Sequence, residues 1–119
     1  MSGEERKNEV RVALRIFFQE VLSKIVPGLH VMLEFHVRNE LGKGLISSII
    51  EEPSKVFNAL VKVTSGEGLR ALDYALTRYI TRVYRVKTDG YLLTELGRGN
   101  NKPLIDVAQK LYRDRYLKQ

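Results

Sequence analysis

Arginine side chains recur in the second half of this sequence at the spacing of one helix face. Arg70, Arg78 and Arg82 are eight and four residues apart, which places them on the same side of a helix. A guanidinium group is a planar, forked donor that suits phosphate, and several of them on one face can follow a nucleic-acid backbone. The candidate residues for binding nucleic acid or another anionic partner are Arg70, Tyr74, Arg78, Arg82, Arg85 and Lys87. The alternative interpretation is a solvated helix face, because Asp73 and Glu67 reduce the local positive charge.

A second group of cations lies near the C-terminus. It consists of Lys110, Arg113, Arg115 and Lys118, and Asp114 offsets part of its charge. Tyr112 and Tyr116 are expected to pack against the core rather than to stack on bases. This group is interpreted mainly as another solvated face.

The sequence contains no catalytic or metal-binding motif. The two histidines, His30 and His36, are six residues apart, whereas a metal-binding pair on a helix needs a spacing of four. On a strand a spacing of two, or of six with carboxylates nearby, would be needed; Glu34 and Glu40 are near, but ordinary partly buried or surface histidines are the favoured interpretation. Glu51 and Glu52 precede a predicted helix, where negative charge is favourable. The Gly66-Glu67-Gly68 turn could receive an anion on free N–H groups, but it lacks the longer glycine pattern of a nucleotide site. We therefore expect no catalytic residue, no metal and no cofactor.

The arginines lie on the second helix of a predicted helical hairpin, residues 51–85. Its first helix is expected to begin at Pro53, whose fixed φ suits a first turn. Thr64 and Glu67 have the spacing of a capping box for the second helix, and Gly66 is expected to adopt the left-handed conformation that ends the first. The buried stripe of the second helix is predicted to contain Leu69, Leu72, Leu76, Tyr79 or Ile80, and Val83.

Helices are also predicted at both ends of the chain. Ser2 and Glu5 fit a capping box for a helix that extends to about Val26. The last helix is expected to begin at Pro103 and to reach about Leu117. The short apolar piece at residues 45–50 is predicted to be a helical turn or a brief extended stretch.

The pattern of residues 29–41 fits two structures. Apolar and polar side chains alternate between Leu29 and Val37, which is typical of a strand. The helical interpretation gives an apolar stripe of Leu29, Met32, Leu33, Val37 and Leu41, and Gly42 suits a helix end. Periodicity alone favours the strand, and the residues leave both structures open.

An Asp89-Gly90 pair between apolar flanks is typical of a β-hairpin turn. The fold predicted from these elements is mainly α, a compact bundle of four to five helices, with a small β-hairpin near residues 82–96 as an optional addition. Residues 1–119 are expected to form a single helical domain.

Composition limits the classes of function. The 119 residues include no cysteine, so disulfides and thiolate chemistry are excluded. The apolar runs are too short to span a membrane, and the N-terminus lacks the pattern of a signal peptide, so we expect a cytoplasmic protein. The net charge of +6 arises entirely from residues 60–119, which hold 12 Lys or Arg against 6 Asp or Glu. Such asymmetry is compatible with an anionic partner.

Residues 35–80 resemble a family of small archaeal proteins, the Nitrosopumilus output domain family. The residues that carry the resemblance are Glu40-Leu41-Gly42, Ile49-Ile50-Glu51-Glu52-Pro53, Val56-Phe57, Leu60 and the Gly66-x-Gly68 turn. The resemblance implies a helix at residues 29–41 and a role as a regulatory or signalling-output domain. It implies no catalytic residues.

A second resemblance is to winged-helix transcription regulators. Residues 53–63 and 69–80 would form the helix-turn-helix, and residues 81–87 and 91–96 would form the wing around Asp89-Gly90. The resemblance implies that Arg70, Tyr74 and Arg78 face DNA.

Together, these observations favour a non-enzymatic helical domain that acts through contact with a protein partner or through self-association, as in a homodimer. The alternative is a nucleic-acid-binding protein that uses the basic helix face.

Overall fold

The N-terminal helix is continuous over residues 3–25 and changes its winding in the middle. The computed structural model describes residues 3–117, without the side chains of Glu4, Tyr116 and Leu117. Helix α1 (Gly3–Ile16) is followed by a π-helical segment (Phe17–Leu22) and one short turn, α2 (Ser23–Ile25). Leu14, Phe17 and Leu22 are fully buried. The predicted extent of this helix is confirmed, whereas Ser2 of the expected capping box lies outside the described residues.

Residues 29–41 form a helix, α3 (Leu29–Leu41), so the strand suggested by their alternation is wrong. Leu29, Leu33 and Val37 are buried at four-residue intervals against the core. The backbone is left-handed on both sides of the helix, with φ of 83° at Gly28 and 74° at Gly42. Gly28 and Gly42 are the residues that flank α3 at its start and its end, and glycine adopts this left-handed conformation without steric cost.

The next two helices are α4 (Leu45–Glu51) and α5 (Pro53–Thr64). Pro53 occupies the first turn of α5, as its fixed φ predicts. Val56, Ala59 and Leu60 form the buried stripe of α5. The piece at residues 45–50 is thus a helix of seven residues rather than an extended stretch.

Helix α6 (Gly66–Tyr79) continues into a second π-helical segment (Ile80–Tyr84). The predicted cap is wrong by one residue: the Gly68 N–H donates to the Ser65 hydroxyl, whereas the Thr64 hydroxyl donates to the Leu60 carbonyl. The left-handed residue is Ser65, with φ of 77°, and not Gly66. Val83 is a second correction, because its side chain is 54% exposed where the helical period predicts burial.

The predicted β-hairpin near residues 82–96 does not form. Residues 3–117 contain no strand; residues 91–96 instead enter helix α7 (Leu92–Gly97). Gly90 does make a turn with φ of 79°, and the Thr88 hydroxyl donates to its carbonyl at 3.1 Å. Leu92, Leu93 and Leu96 are all buried, and this spacing is helical. The winged-helix interpretation loses its wing, because the required strands are helix and irregular chain.

The final helix, α8 (Lys102–Tyr112), ends in a third π-helical segment (Arg113–Leu117). Its buried residues are Pro103, Leu104, Val107, Ala108 and Leu111. α8 packs along α1, and the Arg113 Nε lies 2.7 Å from the Glu9 carboxylate across that contact.

The helices enclose one hydrophobic cluster that draws residues from both ends of the chain. α5 lies at its centre, in contact with α3, α4, α6 and α7. The Cα radius of gyration is 13.5 Å, which is about the value for a compact chain of this length. The mainly α class is confirmed. The expected four to five helices are too few, because continuous segments give seven over residues 3–117.

Candidate functional site

The basic residues singled out in the sequence share one exposed surface. Arg70, Tyr74, Arg78, Arg82, Arg85 and Lys87 are all exposed, and we refer to them as the basic face. Four of them are spaced four residues apart along α6 and the π-helical segment that follows. Arg85 ends this helix in the left-handed conformation, with φ of 57°. The structure thus places these residues together along one helix and its end.

Two members of the basic face contact each other. The Arg78 Nη1 donates to the Tyr74 hydroxyl at 3.0 Å, and the guanidinium carbon lies 5.6 Å from the Tyr74 ring centroid. A cation over an aromatic face is attracted by the ring quadrupole. This contact fixes the Arg78 guanidinium close to the helix surface while leaving its remaining donors free.

The other four cations of the basic face have no acidic partner. Within the described chain, no carboxylate oxygen lies within 4.0 Å of Arg70, Arg82, Arg85 or Lys87. Elsewhere, most acidic side chains are paired with a cation. The basic face is therefore one surface on which several cations are not compensated by a neighbouring carboxylate.

Asp73 does not neutralise the basic face, contrary to the sequence-based expectation. Its side chain is 1% exposed and points toward the start of α7. The carboxylate accepts hydrogen bonds from the Leu93 N–H at 3.0 Å, the Thr94 N–H at 2.8 Å and the Thr94 hydroxyl at 2.7 Å. Asp73 thus caps a neighbouring helix, a long-range role that its local sequence does not reveal.

The second basic cluster is largely compensated. Arg113 pairs with Glu9, and the Lys110 Nζ lies 4.0 Å from Asp114. The Arg115 guanidinium carbon lies 5.2 Å from the Tyr84 ring centroid. Lys118 lies outside the described residues.

A different exposed surface was missed in the sequence. The outer side of α3 presents Val31, Met32 and Phe35, whose residues are 60%, 51% and 62% exposed, and we call it the apolar face. Met32 was expected in the buried stripe, but that stripe is only Leu29, Leu33 and Val37. The available signal was that α3 carries apolar residues on nearly all sides, more than one buried stripe requires.

The two histidines and the pair Glu51 and Glu52 are not gathered into a metal-ligand cluster in the part of the chain that the structure describes. Over residues 3–117, no three His, Asp or Glu side chains are grouped as metal ligands would be. His36 makes an edge contact with Phe35. Hydrogen bonds from Lys55 and Lys43 hold the pKa of Glu52 at about 2. These ion pairs tie the start of α5 to the loop before α4.

Comparisons with known proteins identify an archaeal relative. A protein of Archaeoglobus fulgidus described as uncharacterized is 32% identical over 101 residues, which cover 84% of this chain and 81% of that protein. No family model matches the chain, and no solved structure matches it. The comparisons therefore give no support to the output-domain or the winged-helix resemblance. In the part of the chain that the structure describes, every helix is too short or too polar to cross a membrane. The chain belongs to the same protein family as this archaeal relative.

Proposed function

We propose that this protein is a non-enzymatic helical domain of regulatory or signalling-output type that acts through protein–protein contact, and that the protein it contacts is a second copy of itself. The observation that carries the proposal is the apolar face of α3. Large apolar side chains gathered on one exposed surface are uncommon in monomeric proteins and are typical of interaction sites. Val31 and Met32 precede Phe35 by four and three residues, so each has the helical spacing of a neighbour of Phe35.

The apolar area available is enough for a weak dimer. Burying a complete Val, Met or Phe side chain contributes roughly 1.5–3 kcal/mol. Because each residue is somewhat more than half exposed, the six residues of two copies would contribute roughly 5–10 kcal/mol. Association itself costs about 4–15 kcal/mol in lost translational and rotational freedom. The two ranges overlap, so the dimer that we propose is weak and dissociates on dilution.

The distribution of charge favours this face for self-association. Two chains of net charge +6 repel each other most strongly through the basic face. The charges of α3 are compensated, because Glu34 pairs with Arg38 at 2.7 Å and Glu40 pairs with Lys62 at 3.1 Å. A second copy can therefore approach α3 with little electrostatic cost.

Sedimentation equilibrium over a wide range of protein concentrations tests the proposal. We expect the wild type to dimerise reversibly and Phe35→Glu to remain monomeric. Val83→Glu is the matched control, because Val83 is an exposed apolar residue outside α3. A wild type that is monomeric at every concentration, or a dimer that Phe35→Glu leaves intact, would refute self-association through the apolar face.

A second candidate function is nucleic-acid binding through the basic face. The specific observation in its favour is that Arg70, Arg82, Arg85 and Lys87 have no carboxylate partner among the residues that the structure describes, while Asp73 is buried. Uncompensated cations along one helix can neutralise successive phosphates. Without a wing, such binding would be directed at the phosphate backbone rather than arranged as in a winged-helix regulator.

A salt titration of binding to mixed-sequence duplex DNA and RNA tests this second function. Each phosphate contact contributes a slope of about −0.9 to log K against log salt on B-DNA, so four cations predict a slope of roughly −4. Arg78→Glu/Arg82→Glu should abolish binding. The control variant Arg6→Glu/Lys7→Glu changes the net charge by the same amount, at exposed positions of α1. It should retain most of the nucleic-acid binding. Absence of binding at low salt would rule the function out.

A further inference from the structure

We infer that a groove between α1, α3 and α4 binds a small phosphorylated molecule. The groove has a volume of about 410 Å³ and is lined by Arg11, Arg15, His30, Glu34, Arg38 and Ser47, among others. Ligand pockets commonly measure roughly 300–1,000 Å³, so the space is sufficient for a small organic ligand. None of these residues belongs to the apolar face or to the basic face.

Two of the three arginines are already held in place. The Arg11 Nη1 donates to the Ser47 hydroxyl at 2.9 Å, which joins α1 to α4. The Arg38 Nε donates to the Glu34 carboxylate at 2.7 Å, and the other oxygen of that carboxylate accepts from the Leu45 N–H at 2.8 Å. Arginines fixed in this way lose little side-chain entropy when a ligand binds.

Gly44 permits the close packing at one end of the groove. A Cβ at this position would lie 3.0 Å from the Glu34 carboxylate oxygen and 3.1 Å from the Arg38 Nη2. A larger residue would push this ion pair away from the loop. The glycine therefore allows the Glu34–Arg38 pair to sit against the backbone where α4 begins.

The groove contains unsatisfied polar groups. Arg15 is exposed and has no acidic partner within the described chain, although it lines the groove. The Nδ1 of His30 is buried and has no hydrogen-bond partner. A buried polar atom without a partner, such as this imidazole nitrogen, is uncommon in native structures and calls for an explanation, such as a role in a binding site.

The charge and the lining indicate the class of ligand. Three arginines against Glu34 leave an excess of two positive charges, which matches a phosphate monoester better than a single carboxylate. Guanidinium groups bind phosphate oxygens through paired N–H donors. Phe18 and Ile46 also border the groove and supply an apolar wall for the organic part of the ligand.

Titrations monitored by amide NMR shifts at constant ionic strength test the inference, with phenyl phosphate, inorganic phosphate and benzoate as probes. We expect phenyl phosphate to bind most tightly and to shift the signals of His30 and residues 44–47. Arg15→Gln should weaken phenyl phosphate binding by about 10- to 100-fold, since it removes a charge-assisted hydrogen bond. The variant should fold normally, because Arg15 is exposed and unpaired.

Arg70→Gln is the matched control and should change the affinity by less than about 2-fold, because Arg70 is an exposed arginine outside the groove. An equal loss of affinity in both variants would show that the charge of the whole protein, rather than the groove, attracts the probe. Equal affinity for benzoate and phenyl phosphate would overturn the assignment to phosphate. Absence of any shift at a probe concentration of about 10 mM would overturn the site itself.

These outcomes are separate from those of the dimerisation and nucleic-acid experiments, because Phe35→Glu and Arg78→Glu/Arg82→Glu leave the groove residues unchanged.

Discussion

Asp73 should contribute more to stability than the other acidic residues of the chain. Its buried carboxylate accepts three hydrogen bonds, two of them from the first N–H groups of α7. These bonds connect α6, which carries the basic face, to a helix that is only six residues long. A helix of that length is not stable by itself, so its position depends on such contacts.

The expected cost of Asp73→Ala can be estimated from these contacts. Loss of a helix cap costs about 0.5–2 kcal/mol. The two N–H groups of Leu93 and Thr94 would in addition lose their acceptor, and an unsatisfied buried donor costs roughly 1–3 kcal/mol. Water can reach Thr94, which is only partly buried, so the terms do not add fully. We expect a loss of about 3 kcal/mol in the free energy of unfolding, or roughly 10 °C in Tm.

Urea denaturation followed by circular dichroism measures this loss. Asp73→Asn should cost less than Asp73→Ala, because the amide keeps one acceptor oxygen but directs an N–H₂ group toward the other donor. Asp89→Ala is the control and should change stability by no more than about 0.5 kcal/mol, because Asp89 is exposed. A loss below about 0.5 kcal/mol for Asp73→Ala would show that Asp73 does not hold α7 in place.

Three further predictions concern the turns and the ion pairs. Gly97→Ala should destabilise the protein by about 1–3 kcal/mol in urea denaturation, because the new Cβ would lie 2.9 Å from the Phe57 ring, whereas Gly66→Ala, which has open space, should be tolerated. Thermal denaturation should separate two substitutions of Ser65: Ser65→Ala loses the cap of α6 and costs about 1 kcal/mol, whereas Ser65→Gly relieves the positive φ and should be neutral or stabilising. Because Lys55 and Lys43 lower the pKa of Glu52 from 4.5 to about 2, its contribution to stability is present above pH 4.5 and is lost as the pH falls toward 2. Glu52→Gln should therefore make the acid limb of a stability–pH profile less steep, and an unchanged limb would contradict the role of this ion pair.

The longer helices could be predicted because their apolar periodicity is repeated over several turns. α6 buries Leu69, Leu72 and Leu76 as predicted, and Pro53 and Pro103 lie in the first turns of α5 and α8 as predicted. α4 and α7 contain seven and six residues, too few for a helical period to stand out from the flanking chain. The sequence predicts the turn at Asp89-Gly90, but it does not show whether the residues on either side pair as strands. That outcome depends on where Leu92, Leu93 and Leu96 can be buried.

The surfaces were predictable only in part. The exposure of the basic face follows from the helical spacing of its arginines. The burial of Asp73 could not be foreseen, because its partners are about twenty residues away in the sequence. Alternation in residues 29–37 suggested a strand, and as a helix the same residues leave Val31, Met32 and Phe35 outside the core. The arginine groove depends on the packing of three helices, which no local pattern reveals.

Cross-linking between engineered cysteines tests the self-association claim most directly, since the natural chain has no cysteine. Val31→Cys, Met32→Cys and Phe35→Cys place single thiols on the apolar face, and Arg70→Cys places one on the basic face. A two-fold interface brings residues near its axis together, and a disulfide requires a Cα separation below about 7 Å. We predict that under mild oxidation at least one α3 variant forms an interchain disulfide much faster than Arg70→Cys. If all three α3 variants react no faster than Arg70→Cys, the apolar face is not where two copies of this protein meet.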